Sequence, residues 1–159
     1  MGETPHTLFM KEAIELSRKN IREGNGGPFG TVIVKDGAII ARGTNLVTST
    51  NDPTAHAEIV AIREACRNLG SFQLDGCTVY TSCEPCPMCL GALYWARPKA
   101  IYFANTRDDA AAAGFDHRFL YDELPRRLSE RKIPMIQLMR DEALIAFQEW
   151  GRLEQKIRY

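Results

Sequence analysis

The chain has 159 residues, 45% of them hydrophobic and 25% charged, which suits one domain with a sizeable core and excludes disorder over most of the length. Lys plus Arg number 20 and Asp plus Glu also number 20, so the zero net charge carries no electrostatic footprint for nucleic acid or for a membrane surface. No apolar run reaches the length of a membrane span, and Met1–Lys11, with Glu3, His6 and Lys11, lacks the layout of a signal peptide, which points to the cytoplasm.

Residues 7–23 carry Leu8, Phe9, Ala13, Ile14, Leu16 and Ile21 in a helical stripe that stops at Gly24–Gly27. Two β-rich runs follow, Phe29–Lys35 and Ala38–Arg42. Asp36-Gly37 lies between them, the pattern of a two-residue hairpin turn. Residues 54–69 read as a largely buried helix, capped by Asp52 or Thr54, with Pro53 in the first turn and Gly70 just past the end. Cys77–Ser82 reads as a strand, and Pro85 or Pro87 opens a third helix that stops before Pro98. Ala100–Ala104 is another strand and Pro134–Met139 a candidate fifth. Residues 141–158 form a C-terminal helix with Leu144, Ile145, Phe147 and Trp150 apolar. Strands alternating with helices imply a layered α/β domain spanning residues 1–159.

The five cysteines are Cys66, Cys77, Cys83, Cys86 and Cys89. An odd count without an export signal argues against a disulfide framework. Three of them crowd into seven residues, within Cys83-Glu84-Pro85-Cys86-Pro87-Met88-Cys89. A second cluster is Thr54-Ala55-His56-Ala57-Glu58. Each cluster feeds the start of an expected helix. Cys86 and Cys89 share a face of a first turn, where the helix dipole favours thiolates, and His56 can supply a third ligand of the kind zinc prefers. Three protein ligands leave the fourth tetrahedral position to water, whose pKa zinc lowers from 15.7 to about 7. Glu58, two residues after His56, is a natural proton carrier. It can take the water's proton and deliver it to a leaving amino group, which departs as ammonia only when protonated. His-x-Glu with Pro-Cys-x-x-Cys is the signature of zinc-dependent nucleobase deamination. Two other readings of the residues stay open here. One is a redox pair of Cys83 and Cys86; the other is a structural zinc site that recruits Cys83 as fourth ligand. Cys66 and Cys77 read as buried apolar residues.

The sequence resembles the cytidine-deaminase-like superfamily and, within it, the small bacterial guanine deaminases. The resemblance runs through Gly26-Gly27-Pro28-Phe29-Gly30, Thr50–Glu58, Tyr80–Ala92, Tyr94–Ala100 and Ala113-Gly114-Phe115-Asp116, and ends at Tyr159. Plant guanosine deaminases share several of these segments. The resemblance implies a three-layer α/β/α sandwich on a five-stranded mixed sheet, with one zinc held by His56, Cys86 and Cys89 and with Glu58 as catalytic residue. It implies that Asn45 hydrogen-bonds the base edge while Phe29 and Trp95 wall the pocket. Read from the residues alone, the alternative is that Phe29 and Trp95 are core residues and Asn45 a turn former. The resemblance also implies a homodimer that exchanges C-terminal segments, with 141–159 carrying Tyr159 to the partner's active site. From composition that segment is an ordinary packing helix.

One position departs from the family's pattern. Guanine deaminases carry two acidic residues after Gly-Phe, and this chain reads Asp116-His117. Histidine moves protons near neutral pH but does not accept the hydrogen bonds of a carboxylate when protonated. The alternative is that His117 simply faces solvent. The expected function is zinc-dependent hydrolytic deamination of a free purine base or nucleoside, guanine to xanthine or guanosine first. The alternatives are a cytidine or cytosine deaminase, a tRNA adenosine deaminase, and a zinc-stabilised binding module without turnover.

Overall fold

Helix α1 (Pro5–Arg22) starts where its sequence is written to start one. The computed structural model describes residues 4–159; Met1–Glu3, the start of the N-terminal stretch read above, lie outside the described residues. Thr4 and Thr7 form a capping box and Pro5 fills a first-turn position that needs no N–H. Ala13, Ser17 and Asn20 are its buried face.

Strands β1 (Gly30–Lys35) and β2 (Ala38–Thr44) form the expected hairpin, with Asp36 and Gly37 at φ 49° and 78°. Two positive φ values match the right-handed strand twist, as a type I′ turn requires. A bulge between Ile33 and Val34 shifts the register. The short helix α2 (Val47–Thr50) leads to α3 (Ala57–Leu69), which ends on Gly70 in the left-handed region at φ 61°. Strand β3 (Thr78–Cys83) pairs antiparallel with β1, helix α4 (Pro87–Ala96) crosses over, and β4 (Ala100–Asn105) returns parallel to β3. The sheet order is β2-β1-β3-β4. Helix α5 (Arg107–Ala112) follows on a Thr106–Asp109 capping box.

Alternation along β1 assigns the layers. Val32 and Val34 pack with Ala13 of α1 and Tyr80 of β3 on one face. Ile33 packs with Ala61, Ala65, Val79, Leu93 and Ala96 on the other, under α3 and α4. Both faces of β1 and β3 are therefore covered, and their sequences read as continuous buried runs rather than alternating ones. Helix and sheet come close enough that two strand positions exclude any side chain. A Cβ on Gly30 would lie 2.3 Å from the Ala13 carbonyl oxygen, and one on Gly43 would lie 2.1 Å from the Ala57 carbonyl oxygen. On the α1 face, Tyr80 stacks on Tyr102 with centroids 5.1 Å apart and its hydroxyl lies 2.7 Å from His6 Nδ1.

The three-layer arrangement agrees with expectation; the strand count does not. The sheet has four strands, and Pro134–Met139 is irregular. Ile136 and Leu138 there are 86% and 81% exposed, so the segment has β-like apolar spacing but no neighbouring strand within its own unit. Residues up to Arg118 form one compact unit and Phe119–Tyr159 another. The second holds most of helix α6 (Arg118–Glu123), a 3₁₀ turn at Leu128–Glu130 and helix α7 (Arg140–Arg152). No residue of this unit is buried within the single chain, and α7 stops six residues short of the expected end at 158.

Candidate active site

Two helix starts converge on one point. His56 is the N-cap residue of α3 and Cys86 that of α4, both in extended conformation, with Cys89 one turn into α4. The expected cap of α3 at Asp52 or Thr54 is corrected accordingly. The Asp52 carboxylate instead closes a local turn, accepting from Thr54 N–H at 2.8 Å and from Thr54 Oγ1 at 2.7 Å. The helix then begins three residues later, which leaves His56 outside it.

The His56 Nδ1 atom lies 3.6 Å from Cys86 Sγ and 3.5 Å from Cys89 Sγ, and the three ligand atoms fall within 4.8 Å of one another. Zn–S and Zn–N bonds of about 2.3 and 2.0–2.1 Å meeting at the tetrahedral angle put N and S about 3.6 Å apart. The observed triangle therefore fits zinc. Hydrogen bonds from Cys89 and from the His56 ring pull the Cys86 thiol down to about 4. Cys89 is pushed up, because its thiol hydrogen-bonds to Cys86 and because burial and the neighbouring charges disfavour a second thiolate. A bound cation would favour the thiolate form of both.

Cys83 does not join them. Its thiol points to the Thr106 carbonyl oxygen at 3.7 Å, and burial raises its pKa to about 11. Among the described residues no fourth protein ligand completes the group, as a catalytic rather than a structural site requires. All five cysteines are free, and Cys66 and Cys77 pack in the core as expected.

Glu58 lies in the first turn of α3 and is 6% exposed. Burial raises its pKa, and Cys89 is a hydrogen-bond partner of its carboxyl. A carboxyl pushed up by desolvation takes up a proton more readily than a free one, which suits it to proton transfer.

Asn45 follows β2 and is buried. Its Oδ1 accepts from Gly27 N–H and from Val47 N–H, both at 3.3 Å, which commits that end of the carboxamide to the backbone. Leu46 N–H donates to the Ala55 carbonyl at 2.9 Å and so ties Asn45 to the segment carrying His56. Phe29 is half-buried and meets Phe115 edge-on, with centroids 5.0 Å apart and an interplanar angle of 86°. Phe115 was not among the expected site residues, although it lies inside a segment that carries the resemblance. The Asp116 carboxylate is clamped by Arg118 at 2.9 and 2.7 Å and held at about 2. His117 is half-buried and lies close enough to Glu84 to lower that carboxyl. Glu84 in turn accepts on Oε1 from Arg107 Nε and Nη2, at 3.1 and 2.6 Å, and on Oε2 from the Arg107 backbone N–H at 3.0 Å. That pair joins residues 23 positions apart, so no local sequence signal announces it. Trp95 stands on the exposed face of α4, opposite buried Cys89, Leu93 and Ala96. Tyr159 is 72% exposed at the end of the second unit.

Comparison with known proteins agrees with this geometry. Residues 3–105 match the cytidine and deoxycytidylate deaminase zinc-binding region. A guanine deaminase of Bacillus subtilis (strain 168) is 56% identical over 154 residues, covering 97% of this chain and 99% of that protein. A solved structure of guanine deaminase from Bacillus subtilis superposes with a TM-score of 0.95 at 56% identity, over 97% of this chain and 98% of the other. A tRNA-specific adenosine deaminase of Bacillus subtilis (strain 168) is 39% identical over 76% of this chain and 74% of its own. Among the described residues no helix is long and apolar enough to cross a membrane.

Proposed function

The chain belongs to the cytidine and deoxycytidylate deaminase zinc-binding family, and from that premise we propose that it hydrolyses guanine to xanthine and ammonia in the cytoplasm, with guanosine as the next candidate substrate. The observation that carries the reaction is the His56–Cys86–Cys89 triangle with a buried carboxyl, Glu58, beside it. The choice of guanine rests on 56% identity over nearly the whole of both chains.

When bound, zinc supplies a water acidic enough to attack at neutral pH. Glu58 takes the proton that this water gives up and passes it to a ring nitrogen, then takes the proton of the newly added hydroxyl and delivers it to the amino group so that ammonia leaves. One water enters and one ammonia departs, and C–NH₂ becomes C=O. Asn45 offers the base edge its Nδ2 donors, and Phe29 with Phe115 provides an aromatic wall for a flat ring. Asp116 and His117 face the remaining edge of the base.

A second copy of the chain completes the site. The 119–159 unit exposes Ile136, Leu138 and Phe147 at 86%, 81% and 75%, more apolar surface than a lone chain ordinarily leaves in water. We assign these side chains to the contact of a homodimer that exchanges its C-terminal segments, with Tyr159 and the exposed Trp95 closing the pocket.

The test is ammonia release from guanine, guanosine, cytosine, cytidine, adenine and adenosine by zinc-replete protein. Guanine should lead the panel, and a panel led by cytidine or adenosine would overturn the reading. Glu58→Gln should lose turnover by about 10²–10⁴-fold while keeping its zinc. Loss of the metal together with turnover would instead make Glu58 structural.

A further inference from the structure

Asn20 is 2% exposed at the last turn of α1, in a helix whose other buried residues are small. Its Nδ2 donates to the Gly27 carbonyl at 2.9 Å and to the Asn45 carbonyl at 2.8 Å. A primary amide nitrogen has two protons to give, and both are spent. Its Oδ1 is buried with no hydrogen-bond partner among the described residues. A flipped amide would aim that oxygen at two carbonyl oxygens, so the orientation is fixed by chemistry. One side chain thus joins α1 to the loop before β1 and to the end of β2.

Asn45 sits at the centre of these bonds. Its backbone N–H donates to the Phe29 carbonyl at 3.2 Å, its own carbonyl is held by Asn20, and its Oδ1 is held by Gly27 and Val47 N–H. Of its polar groups, only the Nδ2 donors are not committed by these bonds. The loop also lies hard against it: a Cβ on Gly26 would come 2.2 Å from the Asn45 carbonyl oxygen. We propose that Asn20 is a positioning residue for substrate selection, which by holding the Gly27 and Asn45 carbonyls keeps the Asn45 carboxamide turned so that it presents donors to the base. This rests on the reading of Asn45 as a contact to the base edge. Without Asn20, the loop and the end of β2 are free to separate, and the Asn45 amide can rotate and offer Oδ1, an acceptor, where the base also has acceptors.

The experiment is a double-mutant cycle on the zinc-loaded enzyme with guanine as substrate. Asn20→Leu keeps the branching and heavy-atom count of the side chain and removes both donors; Asn45→Ala removes the contact. Asn20→Leu alone should raise KM about tenfold and lower kcat by less than about threefold, with zinc content unchanged. In the Asn45→Ala background the same substitution should change KM by less than about twofold, because residues that act through one contact are not additive. Asn20→Ser, which keeps one donor, should fall between wild type and Asn20→Leu, and it serves if the leucine variant misfolds. Fully additive effects on KM, or an unchanged KM in both Asn20 variants, would overturn the positioning role while leaving the Asn45 contact standing. An unchanged KM in Asn45→Ala would overturn the contact itself, and with it the inference.

Discussion

Gly43→Ala tests how tightly the site depends on the approach of α3 to the sheet. The new Cβ would lie 2.1 Å from the Ala57 carbonyl oxygen and 2.6 Å from the Ala61 amide nitrogen, both backbone atoms with no rotamer to yield. Restoring ordinary contact at about 3.4 Å means withdrawing the first turn of α3 by about 1.3 Å. His56 caps that turn and Glu58 lies within it. The Nδ1–Sγ separations of 3.5 and 3.6 Å then open well beyond the ~0.2 Å that a zinc site tolerates. Overpacking of this kind costs about 1–3 kcal/mol. At ~2–4 °C per kcal/mol for a chain of this size, the melting temperature should fall by ~2–12 °C. Gly91→Ala is the control, because nothing lies within 4 Å of its Cβ and alanine in a helix interior gains up to ~1 kcal/mol over glycine. Thermal melting and zinc retention against a chelator are read on both variants. If Gly43→Ala melts within about 1 °C of wild type and holds zinc equally well, α3 has slack that the geometry denies it.

Three further outcomes are expected. Arg107 holds the Glu84 carboxyl below its ordinary 4.5, so the pair's contribution is present above pH 4.5 and is lost as pH falls through the lowered value. The pair is partly exposed, so Glu84→Gln should cost only ~0.2–1 kcal/mol at neutral pH, and the gap to wild type in pH-dependent melting should close in acid. If Tyr159 serves the partner's pocket, mixing and re-annealing Glu58→Gln chains with chains truncated before Tyr159 should restore about one quarter of the sites by random pairing. Continued inactivity of the mixture on guanine would place Tyr159 with its own chain, and activity of the truncated chains alone would place it outside the site. His117→Asp should raise kcat/KM for guanine relative to guanosine by up to about tenfold, and unchanged relative rates would remove His117 from selectivity.

What could be read from the sequence is what short range dictates. His56, Glu58, Cys86 and Cys89 declare themselves because a metal needs particular donors at particular spacings. Asp36-Gly37 declares itself because few residues tolerate positive φ at both turn positions. The start of α3 was misplaced because Asp52 and Pro53 look like a helix entrance, and only the Thr54 hydrogen bonds reveal a separate turn. Helices α2, α5 and α6, four to six residues each, are too short to show a period. Pro134–Met139 has strand-like spacing, but pairing is a property of two segments. The same limit hides Asn20 and the Glu84–Arg107 pair, whose partners lie 7 to 25 positions away along the chain.

The position of the ligands at two helix entrances has a consequence for how the protein lives in a cell. His56 and Cys86 are separated by the whole of α3 and β3, so an ion that joins them closes a loop of about thirty residues, as a cross-link does. Any ion that binds the folded chain in preference to the unfolded one stabilises it by RT ln(1 + [Zn]/Kd). The stability of the folded chain therefore rises with the free zinc concentration. Removing the metal would take away the source of the nucleophile and this clasp on the fold together.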